Sequence, residues 1–279
     1  MRTITFENVR DFDLTHIFEC GQCFRWVPAA DGTGDYIGAA GNIAARISYD
    51  PDGSRLIITA TGGDETFWSH YFDLETDYSL VKAELISSDP RITDAVNYGF
   101  GIRILNQDLF ETVISFIISQ NNNIPRIRKN IESICCKYGD RIGDAFGREW
   151  YAFPRPEILA AADEDDLSAL KLGYRAGYIK SASERYAHDC RCGRLPETRD
   201  DILTYRGVGP KVANCIMLFG LRCTEAFPVD TWVRHIMNDM YGFDEGDMKG
   251  MELFAKEKFG ILAGYAQQYL FYYYRDNGR

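Results

Sequence analysis

The sequence predicts an α+β protein, an antiparallel sheet domain followed by an all-helical domain, on two observations. The first sixty residues hold short runs of β-branched and aromatic side chains separated by turn chemistry. From about Glu65 the apolar period lengthens to that of helices and stays so to the C-terminus. The expected division is residues 1–100 for the sheet domain and 101–279 for the helical one.

The expected strands are RTITFE, CFRWVPA, DYIGAA, IAARISY and RLIITAT, with DGTGD and PDGS as turns, spaced as an antiparallel meander. DETFWSHYFDL and SLVKAELISSD read as helices. DLFETVISFIISQ (108–120) is apolar nearly all round, which predicts a buried central helix capped by Asp108. IPRIRKNIESICCKYG places Ile127, Ile131 and Ile134 on one face and stops at Gly139. Residues 156–189 read as two or three short helices punctuated by Gly173 and Gly177. A helix–turn–helix follows at about 200–219, then a helix begun by Asp230, and finally a C-terminal helix.

No apolar run approaches eighteen residues, so no membrane-spanning helix is expected, and the N-terminus lacks the apolar stretch of a signal peptide. The eight cysteines are expected as reduced thiols of an intracellular protein. The net charge of −10 argues by itself against a polyanionic partner. Its distribution argues the other way. Ten acids and three bases lie between Asp50 and Asp94, whereas four bases and one acid lie between Asn121 and Lys137. Lys171 to Lys180 carries a further three bases and no acid. Basic loops in an acidic chain leave nucleic acid open.

YRGVGPKVANC (205–215) is the most informative stretch. Glycines permit a tight turn, and Pro210 suits the first position of a helix. Such a helix start offers amide donors and a positive dipole end to phosphate. The absence of Gly-Lys-Ser/Thr rules out a Walker loop. Lys211 falls in that first turn, where dipole and burial both disfavour the ammonium, so a lowered pKa and an amine nucleophile are expected. Nineteen residues on, Asp230 is a natural N-cap that can also stabilise a developing oxocarbenium charge. Taken singly, these residues favour a corner without ligand and a solvent-facing lysine.

Taken together, LTYRGVGPKVANC and FPVD resemble the helix-hairpin-helix glycosylase superfamily, marked by a hairpin lysine and a downstream Val-Asp. GQCFRW (21–26), SQNNNIPRI (119–127), LGYRAGY (172–178) and YAQQYLF (265–271) are similar, in order and spacing, to the 8-oxoguanine DNA glycosylase/lyase family. The resemblance spans nearly the whole chain. It implies a TATA-binding-protein-like N-terminal sheet and a bifunctional base-excision enzyme, a monomer acting on double-stranded DNA. The damaged base would be flipped out, excised preferentially opposite cytosine through a Schiff base, and the strand then cleaved by β-elimination.

The resemblance implies Lys211 as the amine that attacks C1′ and Asp230 as its electrostatic support. It implies the Gly21 carbonyl as acceptor for N7–H of the oxidised base, a donor that guanine lacks. Phe271 and Cys215 would sandwich the base, with Gln267 on its Watson–Crick edge. Asn121, Arg126 and Arg175 would hold the orphaned cytosine, Tyr174 would wedge the duplex, and Gly207 and Gly209 would meet phosphate. No cofactor is required by the resemblance; a structural monovalent or divalent cation on hairpin carbonyls near Gly207 and Gly209 is the inorganic partner it allows. No cysteine follows Asp230, so no iron–sulfur cluster is expected.

Departures are Trp232 where relatives often carry histidine, and Asn214 where an acid is common. Cys190 and Cys192 match nothing in the family pattern. Two rival readings are a non-catalytic damaged-DNA-binding module, disfavoured by retention of both Lys211 and Asp230, and a glycosylase for alkylated bases, which uses the aspartate without a hairpin lysine and is disfavoured by Lys211.

Overall fold

The structure is a computed structural model describing residues 1–277. It opens with β1 (Arg2–Phe6) and a short helix α1 (Leu14–Phe18). Four strands follow, β2 (Trp26–Pro28), β3 (Tyr36–Ala40), β4 (Ile43–Asp50) and β5 (Arg55–Ala60). β2 to β5 form the expected meander, and β1 returns to pair antiparallel with β5, Ile4 opposite Ile58. Strict alternation in β5 buries Leu56, Ile58 and Ala60 on one face. Helix α2 (Glu65–Tyr71) covers that face, and Trp68, Phe72, Trp26 and Phe18 close a first core around Ile47 and Ile58.

The remaining helices are α3 (Tyr78–Ser88), α4 (Thr93–Tyr98), α5 (Leu109–Ser119), α6 (Ile124–Tyr138) and α7 (Pro156–Ala161). They continue with α8 (Glu164–Leu167), α9 (Arg175–Arg191), α10 (Arg199–Leu203), α11 (Pro210–Phe219), α12 (Thr231–Tyr241), α13 (Met248–Phe259) and α14 (Ala263–Asn277). As expected, α5 is buried along almost its whole length, and Asp108 caps it by accepting from Glu111 N at 2.8 Å. Packed against α5 are α6, α9 and α11, so it is the axis of the second core.

The second half is not all helical. Residues 141–151 form a hairpin, β6 (Arg141–Ala145) with β7 (Arg148–Tyr151). Ala145 and Trp150 of the hairpin pack on Ala39 and Ala44 of the sheet, so its burial depends on a partner a hundred residues away. Gly177 does not break a helix either: it lies inside α9, and the break falls at Gly173, with φ +60°. A helical glycine costs only about 1 kcal/mol, which the contacts of α9 with α5 and α7 outweigh.

Packing does not divide the chain at a single point. Helices α3 and α4, with Cys20 and Phe24, belong to the helical core. Arg25, buried between the two parts, donates to Glu111 Oε2 at 3.3 Å and to the Tyr151 carbonyl, tying sheet, α5 and β7 together. Among the described residues no helix is long and apolar enough to cross a membrane, and all eight cysteines are unpaired.

Candidate active site

Helix α10 starts with a reciprocal capping box between Thr198 and Asp201. Its chain then turns through Gly207 and Gly209 into α11. Gly207 has φ +85°, and a Cβ there would lie 2.3 Å from the Tyr178 ring, so this glycine is required by the protein itself. Gly209 is different. It sits at the N-cap in extended conformation, φ −94° and ψ 178°, and a Cβ would meet nothing within 4 Å. No internal contact demands a glycine at 209, and the space in front of it lies at the amide end of α11.

Lys211 stands in the first turn of α11 and Cys215 one turn on. Asp230 caps α12, its Oδ1 accepting from Val233 N at 2.8 Å. These three face Gly21, Gln267 and Phe271 around one cavity of about 40 Å³. All six residues expected to carry catalysis and base binding are therefore brought together. Phe116, Phe219, Pro228, Cys20 and Gln268 also line it, and the sequence reading did not single them out. Phe116 and Phe219 stack with centroids 5.4 Å apart, and the Lys211 ammonium lies 5.6 Å from the Phe116 ring centroid. Gln268 had a signal available, its place in the YAQQYLF motif.

The electrostatics correct one expectation. Burial works against the Lys211 ammonium, but the Cys215 sulfur and the Asp230 carboxylate outweigh it and hold the lysine above its usual range. For this amine to act as a nucleophile, a proton would first have to leave it. Burial also raises the Asp230 carboxyl, partly offset by the Val233 N–H and by Lys211. The Cys215 thiol is pushed up by the same burial.

Gly21 has φ +82°, and its Cα face rests on the edge of Phe271. The loop that carries it is held from three sides. Buried Gln22 donates to the Ile17 carbonyl at 2.9 Å and to the Arg103 carbonyl at 2.7 Å, and accepts from Leu105 N at 2.9 Å. Arg128 grips Glu19 and the Phe18 carbonyl, and Arg275 of α14 donates to the Glu19 carbonyl. Among the described residues no hydrogen bond uses the Gly21 carbonyl.

A second constellation lies at the turn from α5 to α6. The three asparagines of NNN do different work. Asn121 adopts φ +47°, Asn122 returns a bond to the Ile118 carbonyl at 3.0 Å, and Asn123 caps α6 by accepting from Arg126 N at 3.0 Å. Arg126 is exposed. Arg175 is not: it is 5% exposed and directs its guanidinium at the carbonyls of Gln120, Asn121 and Leu172. Tyr174 is 54% exposed, with the Arg175 guanidinium 4.6 Å from its ring centroid. The structure thus brings Asn121, Tyr174 and Arg175 together and leaves Arg126 beside them. Among the described residues no three His, Cys, Asp or Glu side chains gather as a metal site.

Residues 4–113 match the 8-oxoguanine DNA glycosylase N-terminal domain, and residues 114–259 the HhH-GPD superfamily of base excision DNA repair proteins. The chain is 34% identical to a probable N-glycosylase/DNA lyase of Methanothermobacter thermautotrophicus, over 74% of this chain and 72% of that protein. It is 30% identical to the N-glycosylase/DNA lyase of Saccharomyces cerevisiae, over 84% and 69% respectively. Among solved structures, Clostridium acetobutylicum 8-oxoguanine glycosylase/lyase, in complex with dsDNA containing cytosine opposite 8-oxoG, superposes with a TM-score of 0.91. Identity to it is 40%, covering 99% of this chain and 96% of that one. On these matches the chain belongs to the 8-oxoguanine DNA glycosylase family, within the HhH-GPD superfamily.

Proposed function

We propose that this protein is a bifunctional 8-oxoguanine DNA glycosylase/lyase acting on duplex DNA with the lesion opposite cytosine. The observation that carries the reading is the convergence of Lys211, Asp230, Gly21, Cys215, Gln267 and Phe271 on one cavity. The base must leave the stack, because C1′ and the base edge are inaccessible within a duplex. The ring edge of Phe271 rests against Gly21, and the base enters by displacing Phe271 from the Gly21 loop.

In the cavity the free Gly21 carbonyl accepts from N7–H of the oxidised base. Guanine has no hydrogen there and leaves the carbonyl unpaired, a difference of about 1–3 kcal/mol. The neutral Lys211 amine attacks C1′ as the glycosidic bond breaks, and the base leaves with the bonding electron pair. Asp230 opposes the positive charge that develops on the sugar. Opening of the sugar ring gives an iminium linkage to Lys211. Loss of a C2′ proton then expels the 3′ phosphate and cuts the strand.

Around this centre, the open space at Gly209 and the amide end of α11 take a phosphate without reading sequence. Tyr174 fits the wedge, and Asn121 and Arg126 fit the gap opposite. A cation at the hairpin would share the Gly209 carbonyl, already engaged by Ala213 N at 2.9 Å, and take that of Gly207 beside it, since a carbonyl has two lone pairs. The reading puts the enzyme inside the cell with its DNA, in keeping with eight unpaired cysteines.

Borohydride trapping tests the reading on a duplex with one 8-oxoguanine opposite cytosine. Wild type is expected to give a covalent adduct on the lesion strand and Lys211→Gln none. A folded wild type that binds the duplex but yields neither adduct nor free base would overturn it.

A further inference from the structure

Among the described residues, one side chain lining the cavity holds a fully buried polar atom with no partner. Gln268 is 3% exposed; its Nε2 donates to Gln267 Oε1 at 2.7 Å, and its own Oε1 is buried without any hydrogen bond. Buried amide oxygens are normally satisfied, so an orphan beside a reacting centre calls for a reason.

The reason lies in what Gln267 alone does not distinguish. A 6-keto purine shows an acceptor at position 6 and a donor at N1, whereas a 6-amino purine shows the reverse. A carboxamide carries one donor end and one acceptor end and matches either purine after a half-turn of its terminal torsion, which is nearly free. With Gln268 Nε2 against its oxygen, the half-turn sets two N–H donors face to face. Turning both amides together avoids that clash, but then the buried orphan position holds an NH₂ group. Two unpaired donors in that place cost more than one unpaired carbonyl. The orphan oxygen is thus the cheaper of two imperfect states, and it keeps the Gln267 oxygen on the Gln268 side.

We propose that Gln268 is a specificity-determining positioning residue: by donating to Gln267 Oε1 it fixes the Gln267 carboxamide in one orientation, which reads only one of the two purine patterns. With 8-oxoguanine as the substrate, that pattern is the 6-keto purine rather than the 6-amino purine. The inference rests on the reading of this cavity as the base site. It assigns the preference for an oxidised guanine over an oxidised adenine to a pair of neighbouring amides, separately from the Gly21 carbonyl, which reads N7–H and is blind to position 6.

The test is single-turnover excision of 8-oxoguanine and 8-oxoadenine, each opposite cytosine, by wild type, Gln268→Met, Gln267→Met and the double variant, with thermal melting to check the fold. Gln268→Met is expected to lower the ratio of the single-turnover rate constants for the two lesions roughly tenfold, about what one mis-set hydrogen bond is worth. That effect should vanish when Gln267 is already methionine. An unchanged ratio, or the same fall in both backgrounds, would mean that Gln268 only fills space, and the proposal would fail while the base site stands. If Gln267→Met changes neither lesion in an active enzyme, Gln267 does not read the base and the proposal falls with it. If wild type excises neither lesion, it is the functional reading that fails. Gln268→Leu supplies the same comparison where methionine is not accommodated.

Discussion

Lys211 carries the sharpest conflict at the level of single residues. Attack requires a neutral amine, yet its two neighbours hold the ammonium above the usual lysine range against the pull of burial. Since the amine forms only as the proton leaves, base release should quicken as pH rises from neutral toward the lysine's pKa. Asp230→Asn keeps a good N-cap but removes the carboxylate that favours the ammonium. The amplitude of release should fall about 10²-fold, the usual scale for losing one electrostatic stabiliser. The rising limb should nevertheless move to lower pH, because less remains to hold the proton. Single-turnover rates against pH measure both; a limb that stays in place would mean that Asp230 does not act on Lys211. The two arginines that the resemblance assigns to the orphaned cytosine divide in the same way. Arg126 is exposed and unpaired among the described residues, so Arg126→Gln should leave Tm unchanged and cut the preference for cytosine about tenfold. Arg175 braces three carbonyls from a buried position, so Arg175→Gln should cost about 2–3 kcal/mol of stability. Melting curves and opposite-base panels on both variants separate binder from brace.

At the scale of elements, the hairpin between α10 and α11 makes two glycines do opposite jobs. Gly207→Ala drives a Cβ into the Tyr178 ring at φ +85° and should lose about 1–3 kcal/mol of stability. Gly209→Ala meets nothing within 4 Å and has an ordinary φ of −94°. It should cost no more than the few tenths to 1 kcal/mol of a poorer N-cap while weakening duplex binding about tenfold. Equal loss of binding and stability in both would make the hairpin a corner and nothing more. The hairpin was legible because its signals are local: two glycines, a proline and a lysine in five residues. So were the strands, each bounded by turn chemistry. The β6–β7 hairpin was not, because Trp150 and Ala145 are buried by Ala39 and Ala44 across the fold. Gly177 misled for the same reason, its helix being held by α5 and α7. The site residues could be named from motif order, but the direction of the Lys211 shift could not. It depends on how near folding brings Asp230 and Cys215, and no sequence spacing states that.

At the scale of the molecule, a chain of net charge −10 has to hold a polyanion. It does so by segregation. Arg126 and Lys129 are exposed in the first turns of α6, Lys171 in the segment before α9 and Arg206 in the hairpin. None of the four appears in an ion pair among the described residues. By contrast Arg46, Arg55 and Arg91, in or near the acidic N-terminal part, are each tied to a carboxylate. Other exposed cations, such as Arg2, Arg10, Arg191, Arg194, Lys249 and Lys256, are also outside the ion pairs, but these four flank the asparagine turn, Tyr174 and the hairpin along the chain, which predicts a small phosphate footprint. If about four phosphates are neutralised, log K for duplex binding should fall against log salt with a slope near −3.6. Affinity would drop roughly a hundredfold between 50 and 200 mM salt. Arg206→Gln should flatten that slope by about 1 and weaken lesion and undamaged duplexes alike, because a phosphate contact positions without specifying. Anisotropy titrations over that salt range with the Lys211→Gln protein, which leaves the DNA intact, give both numbers. A slope steeper than about −6 would require a basic surface beyond these four residues. A slope unchanged by Arg206→Gln would remove the Arg206 side chain from the phosphate contacts and leave the amide end of α11 as the hairpin's contact.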